Sequence, residues 1–155
     1  MTIEFDMPPE FQTLVDTGLL EQAAQCVLAA ERADGDVTIV ITNDETVAEL
    51  NQQFLGKEGP TDVLSFPAVD DSTDFALPPE ESTSLYLGDI IIALPFTQRQ
   101  AQQLGRPLKE ELALLVVHGA LHLLGYDHAT PEEKDEMWKK QNAILSGLGI
   151  APLPG

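Results

Sequence analysis

Residues 108–124, LKEELALLVVHGALHLL, decide how the rest of the chain must be arranged. Good helix formers fill the stretch, apolar side chains occupy nearly every face, and Gly125 stands where a helix must stop. A helix that is apolar all round has no face to give to water, so it must be central and covered from several sides. His118 and His122 interrupt the apolar run, which makes it too short and too polar to span a bilayer.

The covering elements read outward in both directions. Downstream, Thr130-Pro131-Glu132-Glu133 combines capping-box spacing with proline at the first helical position and starts a last helix that runs to about Ser146. Met137 and Trp138 on that helix read as core and not as a platform for bases. Upstream, residues 95–104 form a helix closed by Gly105, and residues 85–93 (LYLGDIIIA) form a strong strand. Gly88-Asp89 within it reads either as a bulge that re-aims a side chain or as ordinary edge geometry. Residues 68–84 turn to Asp, Ser, Thr, Pro and Glu and form an acidic surface loop. Residues 62–67 are a short strand. Thr42 and Glu45 have capping-box spacing ahead of a helix over 44–55, which puts Val47, Leu50 and Phe54 on one face and stops at Gly56. The β-branched run at 37–42 (VTIVIT) is a buried strand, residues 19–33 are a helix ending near Gly35, and Ile3 and Phe5 alternate in a first strand ended by Pro8 and Pro9. The expected class is therefore α+β: one domain over residues 1–155, a small mixed four-stranded sheet packed by about five helices, with the histidine-bearing helix at the centre.

Composition narrows the function. The chain has 155 residues, 8 Lys+Arg against 26 Asp+Glu, a net charge of −18 and 43% hydrophobic residues. That is one core's worth of apolar residues, not a disordered chain. The field of such a molecule repels phosphates and anionic lipid, which argues against a general nucleic-acid or membrane binder and against DNA as a partner. Residues 1–11 hold no Lys or Arg and no apolar block, so neither a secretory signal nor a transit peptide is expected, and the expected compartment is the cytoplasm. Cys26 is the single cysteine, which excludes an internal disulfide and suits a buried thiol in a reducing compartment.

All 3 histidines fall in HGALHLLGYDH, residues 118–128. At i and i+4, His118 and His122 leave the same helix face about 6 Å apart along the axis, close enough for both imidazoles to reach one ion. Gly125 turns the chain back so that His128 can deliver a third nitrogen. Three neutral imidazoles without cysteine suit Zn²⁺, one per chain, in an open catalytic-type site. Two bare imidazoles on an apolar helix would otherwise each need a buried partner of their own. Asp127 reads equally as an acceptor that orients a ligand imidazole or as a cap of the turn. The spacing matches the long zinc-protease signature, yet Gly119 stands where the catalytic Glu would be, so peptide hydrolysis lacks its base.

With PTDVLSFP (residues 60–67) and LGDIII (residues 87–92), the histidine motif resembles the YbeY family of bacterial metal-dependent endoribonucleases, over about residues 37–147. The resemblance implies a small α+β fold with the metal at the mouth of a cleft and His118, His122 and His128 as zinc ligands. It also implies single-strand endoribonuclease activity in ribosomal RNA maturation (16S rRNA processing), with ribosomal RNA as substrate and a ribosomal protein or small subunit as partner. Catalysis would rest on a metal-activated water, with Lys57 and Asp127 as the weaker side-chain candidates. One departure stands out: the family usually carries arginine after the aromatic residue before PTDVLSFP, and here Phe54 is followed by Leu55. Leucine cannot clamp a phosphate bidentately, and Lys57 offers a point charge or is an ordinary solvated lysine. Asp62 and Ser65 read as strand caps with a possible place in the cleft. Two other functions fit the residues: a ribosome-assembly factor with a structural zinc, favoured by Leu55 and the charge, and a metalloprotease-like hydrolase, opposed by Gly119.

Overall fold

The structure is a computed structural model that describes residues 2–68, 86–126 and 130–150. Its elements follow in the order β1 (Ile3–Asp6), α1 (Thr17–Ala30), β2 (Asp36–Thr42), α2 (Asp44–Leu55), β3 (Val63–Pro67), β4 (Tyr86–Ala93), α3 (Leu94–Leu104), α4 (Leu108–Leu123) and α5 (Pro131–Gly147), with a short 3-10 turn at Pro9–Phe11. The strands form one 4-stranded sheet in the order β1-β2-β4-β3. β1, β2 and β4 run parallel and β3 is antiparallel to β4, so the sheet is mixed as expected.

The two faces of the sheet are unequal. On one face Val37, Ile39, Ile41, Ile90 and Ile92 meet the apolar faces of α1, α4 and α5 in the main core. On the other, Leu64, Ile91 and Ala93 meet Val47 of α2 in a smaller cluster. β2 is therefore buried by alternation on one face only, Val37, Ile39 and Ile41 pointing inward. β4 has neighbours on both sides, and its residues Ile90 to Ala93 are all buried. α4 is central as its sequence requires, with eleven of its residues buried, including Glu111. The Glu111 carboxylate accepts from Gln100 Nε2 at 2.9 Å and forms an ion pair with Arg106, whose Nε lies 3.3 Å away, which ties the start of α4 to α3 and its connection.

Several local expectations shift. The cap of α2 is Asn43, whose side chain accepts from the Thr46 N–H at 2.8 Å, and not Thr42 with Glu45; Thr42 is still paired in β2 and has no freedom to cap. α1 begins at Thr17, because Asp16 accepts from the Leu19 N–H at 3.1 Å, and it ends at Ala30, two residues before Arg32 at φ 53°. Cys26 is a free thiol that is half-buried and not fully buried, since it lies beside the inward stripe Leu20, Ala23, Ala24, Val27, Leu28. The acidic loop over 68–84 lies almost wholly outside the described residues.

Gly88 settles the choice between bulge and edge. β4 is an inner strand, and its register against β2 slips between Asp36 and Val37, which pair with Tyr86 and Gly88, so Leu87 is the extra residue of a bulge. A side chain at Gly88, whose φ is +143°, would sit 2.3 Å from the Phe66 carbonyl oxygen. The bulge does not aim Asp89 at the histidines: its carboxylate accepts from the Tyr86 hydroxyl, which also lies 2.9 Å from Thr38 Oγ1. Burial, reinforced by that carboxylate, holds the Tyr86 phenol above its ordinary pKa.

Candidate functional site

β3 is an edge strand, and the last turns of α4 pass beside it. Between them and the end of α2 opens a cleft of about 590 Å³, whose lining includes His118, His122, Ser65, Asp62, Leu55 and Lys57. The i, i+4 spacing does what helical geometry requires: the two imidazoles stand edge to face, ring centres 4.7 Å apart, with their Nε2 atoms 3.1 Å from each other. Zinc–nitrogen bonds of about 2.0–2.1 Å at a tetrahedral angle separate two ligand nitrogens by about 3.3 Å. The separation of the pair therefore fits that ion, and the donors are two imidazole nitrogens. His128 and Asp127 fall outside the described residues, and among the described residues no group of three His, Cys, Asp or Glu gathers as a metal site.

The site rests on a close approach between helix and sheet. Ser65 Oγ donates to the Gly119 carbonyl at 3.3 Å, and a Cβ at Gly119 would lie 2.9 Å from Ile90 Cγ2. Only a residue without a side chain lets α4 lie this near β3 and β4. The position where a zinc protease keeps its glutamate is thus a packing position in this molecule.

From α5, Gln141 Oε1 lies 2.9 Å from His118 Nδ1, and the Trp138 indole meets the His118 ring edge to face at 5.7 Å. Met137 is core as expected, but Trp138 is half-buried beside the site, with Lys134 Nζ 5.4 Å above its ring. Gln141 went unnoticed in the sequence, although a signal exists: it sits among Met137, Ile144 and Leu145 on the inward stripe of an amphipathic helix, where a polar residue needs a reason.

The outer rim is built differently. Gly56, at φ 67°, ends α2 in the left-handed conformation, and the loop beyond is held by Asn51, only 5% exposed, whose Nδ2 donates to the Gly59 carbonyl at 3.0 Å. Phe54 and Leu55 are 59% and 52% exposed, so Phe54 does not share the buried face of Val47; it packs edge-on against Phe66 at 5.4 Å instead. Leu55 does reach the cleft, where it presents an isobutyl group in place of a cation. Lys57 is exposed and is the one Lys or Arg among the described lining residues. Asp62 lines the wall and is also a strand cap: it accepts from the Val63 N–H at 2.8 Å and from Gln100 Nε2 at 3.2 Å.

At the far end of α4, Tyr126 fixes where the chain leaves the helix. Its N–H donates to the Leu121 carbonyl at 3.1 Å and its hydroxyl donates to Glu31, which also accepts from Lys140 at 3.2 Å. The Glu31 hydrogen bond, followed by burial, holds the Tyr126 phenol above its ordinary pKa. Arg99, Arg106, Lys139 and Lys140 are all engaged in ion pairs within the chain. No helix among the described residues is long and apolar enough to cross a membrane.

Comparison with known proteins agrees with this construction. The chain is 42% identical over 153 residues to an endoribonuclease YbeY of Roseiflexus sp. (strain RS-1), spanning 97% of this chain and 94% of that protein. It is 43% identical over 134 residues to the endoribonuclease YbeY of Shouchella clausii, spanning 85% and 82%. The solution structure of TM1509 from Thermotoga maritima shares the fold with a TM-score of 0.58 at 24% identity, over 95% of this chain and 91% of that one. The family model for endoribonuclease YbeY matches residues 5–149, nearly all of the sheet and every helix described above, and the chain belongs to that family.

Proposed function

We propose that this endoribonuclease depends on one zinc held by His118, His122 and His128, and that it cuts single-stranded segments of ribosomal RNA during maturation, on the 16S strand. The observation that carries the reading is the pair of Nε2 atoms 3.1 Å apart on the floor of an open cleft. A structural zinc is enclosed by four protein ligands, whereas a catalytic one faces space for substrate, and a cleft of about 590 Å³ beside the imidazoles favours the second. When bound, zinc would lower the pKa of a water far enough to make hydroxide available near neutral pH and would polarise a phosphoryl oxygen.

The residues of the chain supply the rest. α4 presents both imidazoles with little ordering cost, because the helix is already fixed by its burial. Lys57 at the rim offers one positive charge to a phosphate, and Leu55 offers none. Asp127 is assigned either to orienting an imidazole or to capping its turn. The protease reading is opposed by Gly119, where a glutamate side chain would collide with Ile90. With a net charge of −18 and Arg99, Arg106, Lys139 and Lys140 already paired, encounter with the substrate would rely on a basic partner surface, a ribosomal protein or the small subunit, in the cytoplasm.

The deciding experiment incubates zinc-loaded protein with structured ribosomal RNA and, in parallel, with a peptide library, using the His118→Ala/His122→Ala double variant as control. The proposal expects RNA cleavage that the double variant loses and no peptide cleavage. RNA cleavage equal in the two proteins would overturn it.

A further inference from the structure

Gln141 is fully buried, and only half of its amide is used. Oε1 sits 2.9 Å from His118 Nδ1, while Nε2 finds no hydrogen-bond partner among the described residues. Burying an unpaired amide N–H carries a desolvation penalty that an apolar side chain of the same length would not carry at this position. The other side of the residue must repay that, and its one hydrogen bond among the described residues is with a histidine of the cleft. An amide oxygen can only accept, so it draws the ring proton of His118 to Nδ1 and leaves the lone pair on Nε2, the atom that faces His122. Trp138, one turn earlier on the same helix, stands against the ring edge to face and restricts its rotation.

From this geometry we infer that Gln141 is a positioning residue, which selects the His118 tautomer able to bind a metal and orients its ring from a helix other than the one that carries it. The inference rests on the zinc reading above. It assigns a task to α5: the helix that closes the main core also orients the His118 ring, so that ring reaches its binding geometry when α5 docks on α4. Hydrogen bonds from an outer acceptor to a ligating histidine are typically worth 10–100-fold in metal affinity.

The test measures zinc affinity by competition with a chromophoric chelator and needs no RNA. Gln141→Met keeps the length and burial of the side chain and removes the acceptor; its zinc affinity should fall about 10–100-fold. Gln141→Glu restores an acceptor at the same reach and should return the affinity to the parent value or above it. Gln141→Asn withdraws the acceptor by one methylene and should weaken binding as Gln141→Met does, which keeps the question answerable if the methionine variant fails to fold. Parent-like affinity in the methionine or asparagine variant, or a glutamate variant as weak as the methionine one, overturns the inference. Failure of the zinc reading itself looks different, since the unaltered protein would then bind no more zinc than its His118→Ala/His122→Ala variant.

Discussion

The floor of the cleft and its outer rim are built on opposite plans. On the floor, His118 and His122 stand on a buried helix, one ring fixed from α5 by Gln141 and Trp138, with the backbone of Gly119 pressed onto the sheet and held by Ser65. On the rim, Phe54, Leu55 and Lys57 are exposed at the end of α2, and the loop that follows is tied back by the Asn51 side chain. The floor is preorganised, and preorganisation is what a metal with strict bond lengths requires. The rim has area but only one Lys or Arg among its described lining residues, so it offers little to hold a phosphate backbone. On the function proposed above, chemistry and recognition would be separable in this molecule, the first depending on the packed core and the second on the exposed end of α2 and on whatever presents the RNA.

The contrast is broken most directly at the floor. His122→Ala should abolish stoichiometric zinc binding, as read by metal analysis of the purified protein, and with it RNA cleavage. Stripping the metal from the unaltered protein should lower its melting temperature, because a ligand that binds only the native state stabilises that state by mass action. Zinc content unchanged by the substitution, or a melting temperature unmoved by chelator, would mean that the floor is not a metal centre.

The rim is the place to sharpen it. Leu55→Arg should raise the rate of RNA cleavage, by about 10²-fold if the guanidinium reaches the charge developing on phosphorus. A variant no faster than the parent would show that the exposed end of α2 lies outside the path of the substrate. A third change addresses the packing that makes the floor rigid: Gly119→Ala should destabilise the fold by about 1–3 kcal/mol in urea titration, because Ile90 and Ser65 must give way in a filled core. Its zinc affinity should fall as well, since α4 would be lifted from β3.

Salt dependence gives a smaller signal. Binding of free RNA should be weak, with a log–log slope corresponding to about one to three neutralised phosphates, and should strengthen when small ribosomal subunits are supplied. A steep slope with tight binding of free RNA would contradict a charge-poor rim. The smallest effect is at the exit of α4. Tyr126→Phe removes the hydroxyl that donates to Glu31 and should cost at most about 1 kcal/mol. Because the folded state raises the phenol pKa, this contribution is present below pH of about 10 and fades as the pH climbs past the raised value. Parent and variant should therefore differ in urea titration at pH 8 and converge at strongly alkaline pH.

Much of this is legible in the sequence. The all-apolar helix at α4 had to be central, Gly56 and Gly105 had to end their helices, and two histidines at i and i+4 had to share a face, because each follows from the geometry of a few neighbouring residues. Local competition was harder to read: Asn43 and not Thr42 caps α2, because Thr42 is claimed by a strand pair 51 residues away in sequence, with Ala93. Contacts between distant segments left only faint traces. Gln141 and Asn51 could have been suspected as polar residues on apolar stripes, but nothing in the chain says which atom each one meets.

Neighbours along the chain were enough to specify the elements, most of their inward faces, the mixed α+β class and the sharing of one helix face by His118 and His122, since periodicity and spacing are local properties. The tertiary structure alone decided that the histidines lie under an edge strand, that Gly119 is a glycine because a sheet leaves no room there, that the bulge at Leu87 points Asp89 away from them, and that α5 supplies the acceptor for His118. These are matters of distance between residues 23 to 54 positions apart. Such distances are set by how filled layers pack against one another, and packing is a property of the whole core that no single stretch of sequence carries.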